Sequence, residues 1–300
     1  MLRENDHRAK MKGEQTMAQM TESSIDLDWH ALSAQEIRQF DEQGYLIVRD
    51  VLDQDMIDRV VEAADRLIAS DDQHMRTGRL GFKNCIVKDD AFIPLLTHAK
   101  SLSVAVQLLG AHIQLMVSQL AYRGSSDPSK KVRRVGWHRD YGAATKVLGN
   151  HVPRVLLKCA FYLNDLTEPN SGMTLVAPGS NRHSNPIEVP EGEPGPKGYV
   201  EASLKAGDCL FFENRTGHAA GINTSGNMRK AIMIGYGYRW VMPLDYRSQE
   251  PAFMDKLDEL GRYLVGERYP KIEGYKAGGG DSPLTPWCEE NGAPEIRPVV

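Results

Sequence analysis

Several features that would assign this chain to a special class of protein are missing from its sequence. The four cysteines are widely spaced and form no Cys-x-x-Cys pair: Cys85, Cys159, Cys209 and Cys288. This spacing argues against a disulfide framework and a zinc site, and it predicts reduced thiols in a cytoplasmic protein. No apolar run approaches the roughly 20 residues that cross a bilayer, and no signal-peptide stretch opens the chain, so neither a membrane protein nor export is expected.

The charge and composition narrow the class further. The formal net charge is −4, and nucleic-acid binding, which needs a basic surface, is not expected. The chain has 300 residues, of which 41% are hydrophobic and 25% are charged, which is typical of one soluble globular domain. Residues 1–26 are polar and show no periodicity, which predicts a disordered N-terminal arm. Residues 27–300 are expected to form a single domain.

The first part of this domain carries helix signals. Ser33 and Glu36 form a capping-box pair at the start of an apolar-periodic run that ends near Gly44. Asp53 precedes a second run of residues at helical spacing. The predicted elements are a helix from residue 34 to 44, a strand at 45–48, a helix after Asp53 and a helix at 102–109.

Between about residues 112 and 242 the sequence pattern changes to short strand-forming segments separated by turn residues. The predicted strands are 112–122, 154–163, 173–177, 202–204, 209–213 and 228–240. Several short strands with turn signals between them predict a β-sandwich or barrel and argue against a parallel sheet. From Leu244 onward apolar residues return to helical spacing, so residues 243–300 are expected to form a helical cover and an irregular tail.

The most informative motif of the chain is His138-Arg139-Asp140. On an extended strand, residues two apart face the same side, so the imidazole of His138 and the carboxylate of Asp140 converge. Two such ligands and one distant histidine form the facial triad that holds non-haem Fe(II) and leaves coordination positions open. A surface ion pair gives the same short pattern, so the motif alone leaves both interpretations open.

Three further segments follow this motif in order. Residues 164–180 form a strand, a turn and a second strand that ends in a Pro-Gly-Ser turn. Residues 204–212 lead six residues later to His218, and Arg229 stands eleven residues after His218. Together with the opening around Gly44, these motifs resemble the phytanoyl-CoA dioxygenase superfamily of Fe(II)- and 2-oxoglutarate-dependent oxygenases. The resemblance covers most of the chain, from about residue 34 to residue 242.

The resemblance implies both a fold and a site. The fold would be mainly β with flanking α-helices, around a cupin-like double-stranded β-helix, or jelly-roll, core. His138, Asp140 and His218 would bind the catalytic iron, and Arg229 would bind the C5 carboxylate of 2-oxoglutarate. A guanidinium fork matches a carboxylate geometrically, and charge-assisted bidentate hydrogen bonds are strong.

Other positions are matched with less specificity. Lys83 and Gln119 correspond to positions that contact the co-substrate in this family, and ordinary polar side chains are the alternative. Ala220 departs from the family pattern, in which a serine two residues after the distal histidine assists the carboxylate. Lys158 and Tyr162 share one face of their predicted strand, which is either the pocket or the solvent side.

The resemblance also implies a reaction. With Fe(II), 2-oxoglutarate and O2, the enzyme would oxidise, and most simply hydroxylate, an unactivated C–H bond of a small-molecule metabolite, releasing succinate and CO2. Asp140 argues for oxygenation, because halogenating relatives carry Gly or Ala at that position. Desaturation, cyclisation and epimerisation remain alternatives. So do a catalytically silent jelly-roll binding domain and a cupin-type metal enzyme that does not use 2-oxoglutarate.

The identity of the substrate and the oligomeric state are not predicted. The basic run 129–134 is either a solvated loop or a contact for an anionic substrate such as an acyl-CoA. A natural-product intermediate is the alternative class of substrate. Residues 181–200 contain four prolines and are either a lid or a surface loop. Trp137 and Tyr141, which flank the metal motif, either shape the pocket or pack in the core.

Overall fold

The computed structural model of the chain describes residues 25–70, 79–127, 129, 135–267 and 282–297. Nearly all of the predicted N-terminal arm, residues 1–24, lies outside this part of the chain. Most of the basic run, residues 130–134, and the Gly-rich residues 278–280 of the tail also lie outside it.

Helices surround a β-rich centre. In chain order the elements are α1 (Ala34–Gln43), β1 (Tyr45–Val48), α2 (Gln54–Ala69), β2 (Arg79–Lys83), α3 (Ala99–Leu109), β3 (Ile113–Arg123), α4 (Gly142–Leu148), β4 (Leu156–Tyr162), β5 (Thr174–Ala177), β6 (Val200–Ala202), β7 (Cys209–Glu213), β8 (Gly217–Ala220), β9 (Ala231–Tyr238), α5 (Pro251–Met254), α6 (Glu259–Leu264) and α7 (Leu284–Glu290).

The predicted N-terminal signals form as expected. The Ser33 side chain accepts a hydrogen bond from the Glu36 amide, and the Glu36 carboxylate accepts one from the Ser33 amide, which completes the capping box. Gly44 ends α1 with φ +80°, and a Cβ at this position would lie 2.2 Å from Thr216 Oγ1. Glycine is therefore required there both by the backbone conformation and by the close packing.

Two antiparallel sheets form the jelly roll. The large sheet has six strands in the order β1-β7-β4-β9-β3-β2, and the small sheet has three in the order β6-β5-β8. Side chains from both sheets meet in one buried cluster, which includes Tyr162 and Phe212 of the large sheet and Val176 of the small one. The predicted jelly-roll core with flanking helices is confirmed. The large sheet also takes β1 and β2 from the region before residue 112.

The helices cover the outer face of the large sheet. Phe161 and Phe211 of the sheet belong to the same buried cluster as Phe40 of α1, Leu102 of α3 and Trp287 of α7. Burial of each such side chain stabilises the fold by about 1.5–3 kcal/mol. The opposite face of the large sheet is thus left to line the space between the two sheets.

Two strands were not predicted. β8 has the sequence Gly-His-Ala-Ala, whose small residues carry little strand signal, and it forms because its backbone pairs with β5. β2 lies at the edge of the large sheet and pairs with β3 from Arg79↔Arg123 to Lys83↔Gln119. Both strands depend on partners that are distant in sequence, which local patterns do not reveal.

The predicted return to helix after the strands is observed, with Phe253 in α5 and Leu260 and Leu264 in α6, but its predicted start at Leu244 is wrong. The next helix of the described residues begins at Pro251, and residues 239–250 are irregular. Hydrogen bonds to β3 hold this segment: the Leu244 amide donates to Met116 O at 2.7 Å, and Tyr246 Oη donates to Leu115 O at 2.6 Å. These tertiary contacts override the helical periodicity. The predicted strands 228–240 and 202–204 are observed at Ala231–Tyr238 and Val200–Ala202.

All four cysteines are buried and free. Among the helices of the described residues, none combines the length and the apolar character needed to cross a bilayer.

A buried network of ion pairs connects the helices with the large sheet. Arg154, whose side chain is 1% exposed, lies at the start of β4 and contacts Glu213 Oε2 at 3.0 Å and Asp41 Oδ1 at 2.8 Å. Arg215 also pairs with Glu213, and Arg297 pairs with Asp41. The network joins α1, the large sheet and the C-terminal segment through fully partnered charges.

Arg154→Met is expected to destabilise the protein by about 3–5 kcal/mol, because removal of one partner leaves buried carboxylates undercompensated. Urea unfolding of the purified variant measures this loss. The matched control is Arg59→Met, which removes an exposed ion pair with Asp55 on α2 and is expected to cost less than about 1 kcal/mol. Equal losses in the two variants would contradict a structural role for the network.

Candidate active site

Backbone pairing brings the two predicted histidine ligands together. The amide of His138 donates to His218 O at 3.0 Å, and the amide of His218 donates to His138 O at 2.9 Å. The centroids of the two imidazole rings lie 4.3 Å apart. Since β8 pairs with β5 at Val176↔His218, the segment around His138 extends the small sheet by one further pairing.

His138, Asp140 and His218 form a compact donor cluster. Their ligand atoms all lie within 4.8 Å of one another. Nδ1 of His138 lies 3.0 Å from Gly136 O, and Nδ1 of His218 lies 2.9 Å from Thr216 O. Because a carbonyl oxygen only accepts, each Nδ1 carries the proton and each Nε2 offers its lone pair. Two imidazole nitrogens and one carboxylate are the donor set that non-haem Fe(II) binds, so the residues fit this metal.

The electrostatics of the cluster suit a metal as well. Burial lowers the pKa of His218 to about 4, although the Asp140 carboxylate opposes this shift. Burial acts to raise the pKa of Asp140, but the charges of Lys158 and His218 outweigh it and the pKa lies below its ordinary value. At neutral pH the cluster therefore offers a neutral imidazole and an ionised carboxylate, which are the ligating forms.

Lys158 of β4 lies beside this cluster. Its Nζ lies 3.0 Å from each oxygen of the Asp140 carboxylate, and its side chain is 13% exposed. The sequence left open whether this face of the strand meets the pocket or the solvent. The structure places Lys158 on the pocket side.

Arg229 forms the other end of the site. It is 4% exposed, and its Nη2 lies 3.3 Å from both Tyr162 Oη and Thr174 Oγ1. Its Nε is buried without a hydrogen-bond partner, and no carboxylate of the described residues lies within ion-pair distance of it. Gly172, with φ +88°, lies next to the arginine side chain: a Cβ there would lie 3.5 Å from Arg229 Cδ, an ordinary contact. A buried cation with only neutral partners is unfavourable, so this end suits the carboxylate of a ligand.

Thr174 places a hydroxyl group beside Ala220, the position at which the sequence departs from the family pattern. The two residues are directly paired between β5 and β8, so their side chains lie on the same face of the small sheet. Thr174 Oγ1 also contacts Tyr162 Oη. The hydroxyl that the family places after the distal histidine is thus found on the neighbouring strand, which sequence position alone did not indicate.

The inner face of β4 connects the two ends of the site. Lys158, Ala160 and Tyr162 alternate along the strand on this face, with Lys158 beside the metal cluster and Tyr162 beside Arg229. At about 3.3 Å per residue, their first and last Cα atoms are roughly 13 Å apart. The donor cluster and Arg229 therefore lie beside opposite ends of one rigid strand.

Lys83 and Gln119 are cross-strand partners in the large sheet. Gln119 pairs in turn with Met233, and Met233 pairs with Ala160 on β4, so this row crosses the cavity face between the two ends of the site. Gln119 is half-buried, whereas Lys83 is exposed on the edge strand. The structure thus brings both residues to one face, and their contact with the co-substrate stays a prediction.

The segment 181–200 packs next to the metal motif. Trp137 Nε1 donates to Pro194 O at 2.8 Å, and its ring meets the ring of Tyr199 edge-on with a centroid distance of 6.0 Å. Tyr141 packs against Val117 and the small apolar cluster around it, on the other side of the motif. These contacts fix where the segment lies, and its opening and closing as a lid stay a prediction.

The comparisons with known proteins agree with this combination of a jelly roll and a metal-binding triad. The sequence profile of the family described as Phytanoyl-CoA dioxygenase (PhyH) matches residues 40–231, more than half of the chain. The chain belongs to this family. It is a 2-oxoglutarate-dependent non-haem iron oxygenase, with Fe(II) as its cofactor and 2-oxoglutarate and O2 as its co-substrates.

The sequence identities to individual proteins are low. The uncharacterized protein Rv1501 of Mycobacterium tuberculosis is 29% identical over 200 residues, which cover 63% of this chain and 69% of the relative. The ectoine dioxygenase of Sphingopyxis alaskensis is 24% identical over 277 residues, with 81% and 88% covered. Among solved structures, the epimerase SnoN from nogalamycin biosynthesis is 20% identical with a TM-score of 0.56, and 83% of this chain and 92% of SnoN are covered. This likeness to SnoN shows a shared fold.

His138→Ala is expected to weaken Mn(II) binding by more than the roughly 10- to 100-fold loss caused by mutating a group that only orients a ligand. The reason is that one of three donor atoms is removed. A Mn(II) titration followed by electron paramagnetic resonance measures the affinity without turnover. His151→Ala removes an exposed histidine and is the control. Unchanged affinity in His138→Ala would exclude this residue as a ligand.

Proposed function

We propose that the protein hydroxylates an unactivated C–H bond of a small-molecule metabolite and releases succinate and CO2. His138, Asp140 and His218 would hold Fe(II), and Arg229 would bind the C5 carboxylate of 2-oxoglutarate. When bound, the iron and the co-substrate supply the oxidising chemistry, and the protein supplies orientation and a shielded site. The observation that carries this proposal is the buried Arg229, which has only hydroxyl partners in the described residues.

Arg229 orients the co-substrate. Its guanidinium would form charge-assisted hydrogen bonds with the C5 carboxylate, and the hydroxyls of Tyr162 and Thr174, already at 3.3 Å from Nη2, fix the plane of the fork. Since Arg229 lies at the far end of β4 from the metal cluster, the keto-acid end of the co-substrate would point toward the three metal ligands. Gln119 and Lys83, on the row between the two ends, are proposed to contact the co-substrate along its length.

The residues around the metal keep the ligands in their binding forms. The Gly136 and Thr216 carbonyls hold the protons of both histidines on Nδ1, away from the metal. The ring of Phe212 lies 4.5 Å from the ring of His218 and excludes water from the inner side. His138 is exposed, so the site opens on its side, where the substrate would enter.

Hydroxylation is favoured over halogenation by the ligand set. Asp140 occupies the third protein position, so no protein position is left vacant for a halide. Desaturation, cyclisation and epimerisation use the same ligands and differ in the fate of the substrate. The proposed substrate is either an anionic acyl-CoA or a natural-product intermediate. The acyl-CoA interpretation rests on the basic run in the sequence, most of which lies outside the described residues.

Arg229→Ala is expected to raise the 2-oxoglutarate concentration needed for half-maximal succinate formation by roughly 30-fold or more. Loss of one partner of a buried charge pair costs about 2–5 kcal/mol. Thr174→Val removes one hydroxyl and is expected to have a smaller effect, near tenfold at about 1.4 kcal/mol. Unchanged co-substrate dependence in Arg229→Ala would exclude Arg229 as the residue that binds the C5 carboxylate. Absence of any succinate from the iron-loaded wild type would favour a silent binding domain.

Turnover under 18O2 is expected to place one labelled oxygen atom in the organic product and one in succinate. A metabolite extract supplies the substrate, and mass spectrometry of the product that appears only with Fe(II) and 2-oxoglutarate measures the label. Labelled succinate beside an unlabelled product would identify desaturation, cyclisation or epimerisation and would reject hydroxylation.

A further inference from the structure

Lys158 is a cation enclosed in the cavity with a single acidic neighbour. Asp140 is the one carboxylate within ion-pair distance of its Nζ among the described residues. On the neighbouring strands it pairs with Phe212 of β7 and Gly235 of β9, neither of which offers a polar side chain. The Phe212 ring centre lies 5.7 Å from Nζ. Among the described residues, Lys158 therefore has no second carboxylate to replace Asp140 as an ion-pair partner.

A bound metal ion changes the charge around Lys158. Without metal, the ammonium of Lys158 and the carboxylate of Asp140 compensate each other. A divalent ion held by Asp140 and two neutral histidines gives a local charge of +1, and Lys158 raises it to +2. A buried excess of positive charge is unfavourable unless an anion compensates it. The coordination positions left open by the three ligands are where such an anion can bind, close to both the metal and the lysine.

We propose that Lys158 is a specificity-determining residue that recruits a carboxylate, or a comparable oxyanion, to the open positions of the metal site. The inference rests on the proposed metal-binding role of His138, Asp140 and His218. Two ligands share the required chemistry: the C1 carboxylate of 2-oxoglutarate and an acidic group on the substrate. Lys158 is assigned to anion recruitment, not to retention of the metal.

The test uses the full chain loaded with Co(II), whose visible absorption reports ligand binding at the open positions without turnover. Lys158→Met removes the charge and keeps the length of the side chain, and Lys158→Arg keeps the charge. Lys256→Met is the matched control, because it removes an exposed lysine that pairs with Asp90 away from the cavity. Each protein is titrated with 2-oxoglutarate, with azide in the presence of saturating 2-oxoglutarate, and with neutral imidazole.

Lys158→Met is expected to weaken at least one of the two anions by roughly tenfold, the size of one screened charge interaction at a partly buried site. Imidazole binding is expected to stay within about twofold, since a neutral ligand does not sense the lost charge. Lys158→Arg and Lys256→Met are expected to bind the anions as the wild type does. Weaker 2-oxoglutarate binding alone would identify the co-substrate as the recruited anion, and weaker azide binding would identify the substrate side.

Unchanged affinity for both anions would overturn the proposal. A parallel loss of imidazole binding would also overturn it, because a disrupted site weakens every ligand. If Lys158→Met does not load cobalt, Lys158→Gln, which keeps a donor toward Asp140 without the charge, replaces it. Loss of loading in both neutral variants would assign Lys158 to holding the metal and reject anion recruitment. Failure of the wild type to bind cobalt would instead reject the proposed function, and this is seen before any variant is compared.

Discussion

Two backbone hydrogen bonds between His138 and His218 are the contact on which the candidate site depends. They join segments that are far apart in the chain, and they do so through main-chain atoms that any sequence possesses. The side chains converge because directly paired residues of antiparallel strands lie on the same face. Asp140 follows two residues later, in the turn after this bridge, where its carboxylate contacts Lys158. The metal cluster is therefore a property of the small sheet's register, and a shift by one residue would turn one histidine away from the other.

The large sheet supplies a second constraint, which is the distance between the two ends of the site. β4 carries Lys158 near the metal cluster and Tyr162 near Arg229, and its neighbours β7 and β9 hold it on both sides. A strand paired on both sides cannot change its length, so the two ends of the site keep their separation. The hydroxyl groups around Arg229 come from two different sheets, Tyr162 from the large sheet and Thr174 from the small one. Thr174 of β5 is paired directly with Ala220 of β8, so its hydroxyl lies on the same face of the small sheet as the Ala220 side chain.

The sequence reveals those parts of the site that depend on short or fixed spacings. His138 and Asp140 are recognised because two residues on a strand share a face, and Arg229 is recognised by its fixed distance from His218. The pairing of Thr174 with Ala220, and that of Lys83 with Gln119, depends on strand register, which no local pattern encodes. For the same reason β2 and β8 were not predicted. The helix expected at Leu244 failed because hydrogen bonds to β3 outweigh local periodicity.

Arg154 and Arg229 are both buried arginines, but only the charge of Arg154 is compensated by carboxylates of the described residues. Arg154, with a side chain 1% exposed, has Glu213 and Asp41 as partners, so its charge is compensated within the fold. Arg229, at 4% exposed, has hydroxyl hydrogen-bond partners and no carboxylate within ion-pair distance among the described residues, so the folded protein carries the cost of an uncompensated charge. A ligand that supplies the missing anion recovers this cost on binding, and because it binds only the folded state it also stabilises the protein. Under the proposed function, the uncompensated charge of Arg229 would contribute to the affinity for the co-substrate, while the compensated network around Arg154 keeps the surrounding layers folded.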